Sequence, residues 1–299
     1  MTDTIDRHDY GKISPTAKIT AYWRSLSDIP YSKEIAVAVR AEETAREMLG
    51  DEIVATGGRL SPAIFEVRYK SIDDGLRRVG LTDVLELACG LSPRGLDIVS
   101  HGGTYVGTDL PDMHAESSAV LRDIAARDRI PTTSLHLQSA NVLEMSELED
   151  AAHHFNGRSF AICNEGLLPY LNMEEKKKMA ENIRALLVKK GGCWITTDIV
   201  FKVFRQSVAQ LFGRNSLDAV RPAMKNIIAQ TGRNILANDF ADIGAAEKFY
   251  RELGFNIAEY PMYTGDYELS TAGRLDDRIK DRFLEILASA KVWIMVPKP

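Results

Sequence analysis

The chain has 299 residues, 45% hydrophobic and 26% charged, enough to bury about three quarters of its unfolded surface without a metal or disulfide staple. Its 21 Gly and 11 Pro follow no period, which excludes collagen, a coiled coil and a mostly disordered chain. A formal charge of -5 with no basic block argues against nucleic acid as a partner, and no apolar run reaches the roughly 18 residues a membrane span needs. The polar start MTDTIDRHDYGKISPTAK has no apolar signal core, so a cytoplasmic protein is expected. Cys89, Cys163 and Cys193 are widely separated within apolar stretches and read as buried free thiols.

Two helical patterns flank the turn at Asp28, Ile29, Pro30 and Tyr31, and the Ala- and Glu-rich stretch 34–49 predicts one helix. Ser61 and Pro62 open another, with Ile64, Val67, Ile72 and Leu76 on its apolar side and Gly80 at its end. From residue 82 the period changes. Short apolar segments at 82–88, 104–109, 133–138, 159–164 and 192–199 alternate with stretches long enough for crossover helices. One of these is 173–190, where Met173, Met179, Ile183, Leu186 and Leu187 mark a face. Strands alternating with helices predict parallel βαβ units, and near-continuous apolarity predicts a sheet covered on both faces. Residues 200–240 are too long for a plain crossover and read as a helical insertion over the end of the sheet. A helix and strand follow, then a last helix and strand, with 257–260 and 291–296 as an antiparallel edge.

The stretch VLELACGLSPRGLDIV runs a strand into a turn at Gly90, where the missing Cβ lets a ligand approach the backbone. Nineteen residues on, at the end of the next strand, Asp109 is placed to accept from ribose hydroxyls. The dinucleotide fingerprint is absent: Ser92 stands where its second glycine would be, and Pro93 has no amide for a pyrophosphate. A nucleoside without phosphates is the ligand this loop suits.

With YVGTDLPDM and CNEGLLPYLNMEE, this stretch resembles the class I S-adenosylmethionine-dependent methyltransferases, within them the leucine carboxyl methyltransferase and polyketide O-methyltransferase group. The likeness covers about residues 12–199. It implies an α/β, Rossmann-like class I methyltransferase fold: a mostly parallel seven-stranded sheet flanked by helices. Residues 1–80 would form an N-terminal helical cap with the cofactor-clamping helix, and 81–299 the cofactor-binding core, including the 200–240 lid. It implies S-adenosylmethionine as cofactor and S-adenosylhomocysteine as product. Gly90, Ser92 and Asp109 would line the nucleoside, with Asn141 and Val142 at the adenine, where the group commonly has an acid before the apolar residue. Arg68 would hold the methionine carboxylate, Glu165 the ammonium, and Tyr170 would lie on the acceptor side. Lys18 is a further basic candidate by neighbourhood.

An activated methyl needs an aligned lone pair and exclusion of water more than a strong base, so the lack of a catalytic dyad is no contradiction. No histidine or acid spacing marks a metal site, and none is expected. The expected reaction is direct displacement onto a hydroxyl or carboxylate oxygen of a small molecule, with Tyr22, Trp23, Tyr31, Tyr170, Phe204, Tyr263 and Tyr267 as candidate pocket walls. Two alternatives share the sheet: a nicotinamide-dependent oxidoreductase, disfavoured by the lost glycine, and a non-catalytic nucleoside-binding protein.

Overall fold

The computed structural model describes residues 14–55, 60–199, 207, 211 and 238–299. Helices α1 (Ser14–Ser25), α2 (Ser32–Ala38), α3 (Ala41–Leu49), α4 (Asp51–Ala55) and α5 (Ser61–Val79) precede the first strand. Then β1 (Asp83–Leu87), α6 (Arg94–Ser100), β2 (Thr104–Asp109), α7 (Pro111–Arg127), β3 (Leu135–Ser139), α8 (Met145–Ala152), β4 (Phe160–Asn164), α9 (Met173–Lys190) and β5 (Gly192–Thr196) alternate. The chain closes with α10 (Ile243–Glu252), β6 (Phe255–Pro261), α11 (Asp277–Ser289) and β7 (Lys291–Pro297).

The strands form one seven-stranded sheet in the order β3-β2-β1-β4-β5-β7-β6. The first five are parallel, while β7 runs antiparallel to both β5 and β6, as expected of the terminal pair. The period-2 geometry of a strand divides its side chains between two cores. Val84, Ala161, Cys163, Ile195 and Ile294 join α5, α7, α11 and the N-terminal helices in one cluster. Leu85, Ile162, Trp194, Trp293 and Met295 join α8, α9 and α10 in the other. All three cysteines are free and buried.

Two helix expectations need correction. The stretch read as one helix over 34–49 is two, because Arg40 takes φ 52 between α2 and α3 and interrupts the helical ladder. Ser61 is not the cap of α5: Leu60 holds that position without a side-chain bond, and Ser61 already lies inside the helix. Helix α9 starts where the pattern placed it, fixed by a reciprocal capping box between Asn172 and Glu175. Met173, however, is exposed, because the first turn projects beyond the apolar face. The insertion expected at 200–240, with Phe201, Phe204, Phe212, Gly213 and Gly232, lies outside the described residues except for Ser207, Leu211 and 238–240.

Candidate functional site at the carboxyl ends of β1, β2, β4 and β5

In a parallel sheet of this order the direction of strand addition reverses between β1 and β4, which leaves a crevice beyond their carboxyl ends. The turn after β1 opens there. Cys89 N still bonds Thr108 O at 2.9 Å, continuing the β1–β2 ladder, and the chain then turns at Gly90 with φ 54. Ala88, at φ 50, adopts a backbone that side chains disfavour. Helix α1 lies over this turn: a Cβ built on Gly90 would sit 3.6 Å from Cβ of Ala17.

Asp109 and Gly90 meet as the sequence spacing suggests. Oδ2 of Asp109 accepts from Gly90 N at 2.7 Å and Oδ1 from Leu110 N at 2.8 Å, leaving each oxygen a second lone pair. Burial pushes this carboxyl up to about 6, although both amides pull the other way. Ser92 is placed differently from the expectation: its hydroxyl turns inward to Oε2 of Glu86 at 3.1 Å, and its amide is used by Cys89 O. It shapes the loop from beneath. The same Glu86 accepts from Tyr105 Oη at 2.8 Å and pairs with Arg94, which also bonds Asp73 at 2.7 Å and Tyr69 O at 3.2 Å. That buried network welds β1, β2, α5 and α6 beneath the crevice.

At the neighbouring corner Asn141 and Val142 follow β3. Asn141 Oδ1 accepts from Leu143 N at 3.0 Å, which leaves its amide nitrogen outside that bond, and Val142 O accepts from Asn182 at 3.1 Å.

The other side of the crevice is ionic. Glu165, just beyond β4, accepts from Arg24 Nη2 at 2.8 Å and stands 3.7 Å from Arg68 Nε. Burial alone would raise the Glu165 carboxyl, but Arg24, Arg68 and Arg94 together hold it below the ordinary glutamate range. Arg68 also bonds Asp198 Oδ1 at 3.3 Å. Gly166, at φ 79, permits this approach, since a Cβ there would lie 3.3 Å from Arg68 Nη2.

Asp198, beyond the end of β5, organises the loop after β4. It accepts from the amides of Gly166 at 2.8 Å, Leu167 at 2.9 Å and Leu168 at 3.3 Å, and from Asn164 Nδ2 at 2.9 Å. Asn164 is in turn oriented by Trp194 Nε1 at 2.7 Å. Neither Asp198 nor Arg24 was among the site residues read from the sequence. An acid closing a strand, as Asp109 closes β2, was the available signal for Asp198.

Tyr170 lies on the same loop, and its hydroxyl donates to Thr16 of α1 at 3.2 Å. Burial raises its pKa, so it remains a phenol at neutral pH. Lys18 pairs with Glu116 of α7 at 2.9 Å, tying α1 down away from the ionic cluster. Of the other aromatic candidates, Tyr22 and Trp23 are core, and Tyr31, Tyr263 and Tyr267 pack against that core. Lys176 of α9 is buried, donating to Leu171 O and, at 2.6 Å, to Asn238 O. Burial brings its amine down to about 8. It staples the Tyr170 loop to the chain returning at 238. Among the described residues no cluster of three or more metal-ligating side chains forms, and no helix is long and apolar enough to cross a membrane.

The strand order with its reversed seventh strand is the mostly parallel, Rossmann-like seven-stranded sheet that the sequence resemblance implied. Solved structures with this layout include magnesium protoporphyrin IX methyltransferase from Synechocystis PCC 6803 with bound S-adenosylhomocysteine, at 12% identity and TM-score 0.44, over 80% of this chain and 85% of that one. The methyltransferase domain of a bacterial Hen1 protein matches at 11% identity and TM-score 0.44, over 78% and 98%. PKMT2 from Rickettsia typhi matches at 12% identity and TM-score 0.41, over 72% of this chain but 48% of that one, so the chain spans about half its length. No protein-family model matches the sequence, and no curated protein matches it.

Proposed function

We propose that the protein is an S-adenosylmethionine-dependent methyltransferase that methylates a hydroxyl or carboxylate oxygen of a small molecule. The observation that carries this reading is the Gly90 turn bonded to Asp109 at the β1–β4 switch point. A strand-end carboxylate with two lone pairs free suits the two hydroxyls of a ribose, and the turn has no phosphate cradle.

In this reading Asp109 orients the ribose, and Asn141 and Val142 border the adenine. Glu165 and the arginines beside it take the amino-acid end, while Tyr170 faces the acceptor. The cofactor, when bound, supplies a methyl already activated by its sulfonium. What the chain must contribute is alignment and exclusion of water. Tyr170, kept protonated by burial, would orient an acceptor oxygen by a hydrogen bond, without serving as a base. The 200–240 segment, following β5 at the same end of the sheet, is the proposed cover.

The test is calorimetry with S-adenosylhomocysteine and with NADH, followed by transfer of labelled methyl from S-adenosylmethionine to a panel of phenols and carboxylic acids. Binding of S-adenosylhomocysteine with label on an oxygen is the expected result. Binding of NADH in its place would replace this reading with the oxidoreductase.

A further inference from the structure

Tyr170 ends a single 3-10 turn, Leu168–Tyr170, on the loop after β4. One such turn leaves its last carbonyls without partners inside it and holds little shape by itself. Here both carbonyls that flank Tyr170 are taken from outside. Asn238 Nδ2 donates to Pro169 O at 3.3 Å, and Lys176 Nζ donates to Leu171 O. The two donors are themselves joined, since Lys176 Nζ also donates to Asn238 O at 2.6 Å. The bonds close a circuit from α9 through residue 238, with Tyr170 between its two attachment points on the loop.

Burial shows what this arrangement presents. Leu168, Pro169 and Leu171 are buried, and Tyr170 is the half-buried member of that run, with its hydroxyl directed to Thr16 of α1 at 3.2 Å. Lys176 is a costly residue for filling space alone. It is 2% exposed, and an apolar side chain of similar length would pack there without the penalty of burying an ammonium. Its described side-chain bonds both go to backbone carbonyls. With its amine at about 8 it is mainly charged at pH 7, so both bonds are charge-assisted. Asn238 is half-buried and serves twice, as a side-chain donor and as a backbone acceptor.

Resting on the reading that Tyr170 faces the methyl acceptor, we propose that Lys176 and Asn238 are positioning residues for the transfer: they clamp the carbonyls on either side of Tyr170 and so fix where its hydroxyl meets the acceptor oxygen. They act through Tyr170 without touching the acceptor. Losing the clamp costs alignment and turnover, and leaves the Gly90–Asp109 pair, on other loops, as it was.

The experiment reads Tyr170 directly and then its effect on transfer. In the full chain with isotope-labelled tyrosine Cζ, the Tyr170 resonance is assigned by its loss in Tyr170→Phe. Asn238→Ala and Lys176→Met should each shift or broaden that resonance and leave those of Tyr105 and Tyr250, buried in the core, in place. Methyl transfer is followed to whichever phenol or carboxylic acid of the panel accepts label fastest. Both variants should lower kcat roughly 10- to 100-fold, while S-adenosylhomocysteine affinity by calorimetry stays within about twofold of wild type. In the Tyr170→Phe background Asn238→Ala should change kcat by less than about twofold, because the hydroxyl it positions is gone. If Lys176→Met does not fold, Asn238→Ala, at a half-buried position, carries every comparison. An unmoved Tyr170 resonance, or a loss of kcat by Asn238→Ala as large with Tyr170→Phe as without it, overturns the clamp. A wild-type chain that neither binds S-adenosylhomocysteine nor labels any acceptor overturns the methyltransferase reading instead, and the resonance still decides whether Lys176 and Asn238 hold Tyr170.

Discussion

The raised pKa of Asp109 makes ligand binding depend on pH in a direction and range that can be stated in advance. Its carboxyl titrates at about 6 because burial outweighs the two amides that bond it. Ribose hydroxyls would donate to the ionised form, so binding must first remove any proton there. With a midpoint of about 6, roughly nine tenths of the protein is ionised at pH 7 and about one tenth at pH 5. Apparent affinity should therefore fall about tenfold between them, or about 1.4 kcal/mol. Calorimetry with S-adenosylhomocysteine from pH 5 to 8, in two buffers of different ionisation enthalpy, reads both the affinity and the proton released on binding. Asp109→Asn should flatten the profile and weaken binding at pH 7 by roughly 10- to 150-fold. An affinity that stays level down to pH 5, or an Asn variant that keeps the slope, would refute the placement of Asp109 on the ribose. The stability effect of the same group has the opposite sign. Its folded pKa lies above the ordinary value of 3.8, so the folded chain binds more protons between there and about 6, and this group's contribution favours folding as pH falls through that window.

Three further outcomes are expected. Ala88→Gly relieves a left-handed backbone at φ 50 and should raise stability by up to about 1 kcal/mol, read as a small increase in melting temperature. Arg94→Met strands the Glu86 carboxylate in the core and should cost about 3 to 5 kcal/mol in denaturant unfolding, whereas replacing the exposed Arg40 by Met should cost little. Replacing residues 206–232 by a short linker should damage methyl transfer far more than cofactor affinity. Equal loss of folding and binding would mark that segment as structural.

How much was legible depended on how local each determinant is. Strand β2 was read at its observed bounds because TYVGTD is a short apolar run closed by an acid, and the β6–β7 pair from runs separated by a strong helical pattern. The break at Arg40 was not legible, since nothing in VAVRAEETA disfavours helix. The interruption is a tertiary choice that lets α2 and α3 both pack on α1. At the site, the Gly90–Asp109 pair follows from a spacing along one βαβ unit. The Arg24–Glu165 pair joins residues 141 apart, and Asp198 reaches the β4 loop across more than 30 positions. Spacing rules describe a single unit and are silent about contacts that only the assembled sheet creates.

The two arginine networks meet at Tyr69. Arg94 packs over its ring at 4.2 Å and Arg24 at 5.3 Å, so one aromatic side chain of α5 supports both. Their hydrogen bonding differs in kind. Around Arg94 the carboxylates of Glu86 and Asp73, a hydroxyl from Ser92, another from Tyr105 and the Tyr69 carbonyl form a set in which no side-chain atom is orphaned among the described residues. Around Arg24 the set is incomplete: its own Nε and Oε1 of Glu165 are among the buried atoms with no hydrogen-bond partner among the described residues. A buried network that is fully bonded rigidifies what surrounds it, whereas an incomplete one lowers stability unless another molecule completes it. In the proposed methyltransferase reading the complete set is the platform and the incomplete one the binding surface. Because the two share Tyr69, Tyr69→Leu should loosen Arg24 while leaving Arg94 its ion pairs. S-adenosylhomocysteine affinity should then fall more steeply than unfolding free energy, and a variant that lost both in equal measure would show that the two networks are one structural unit.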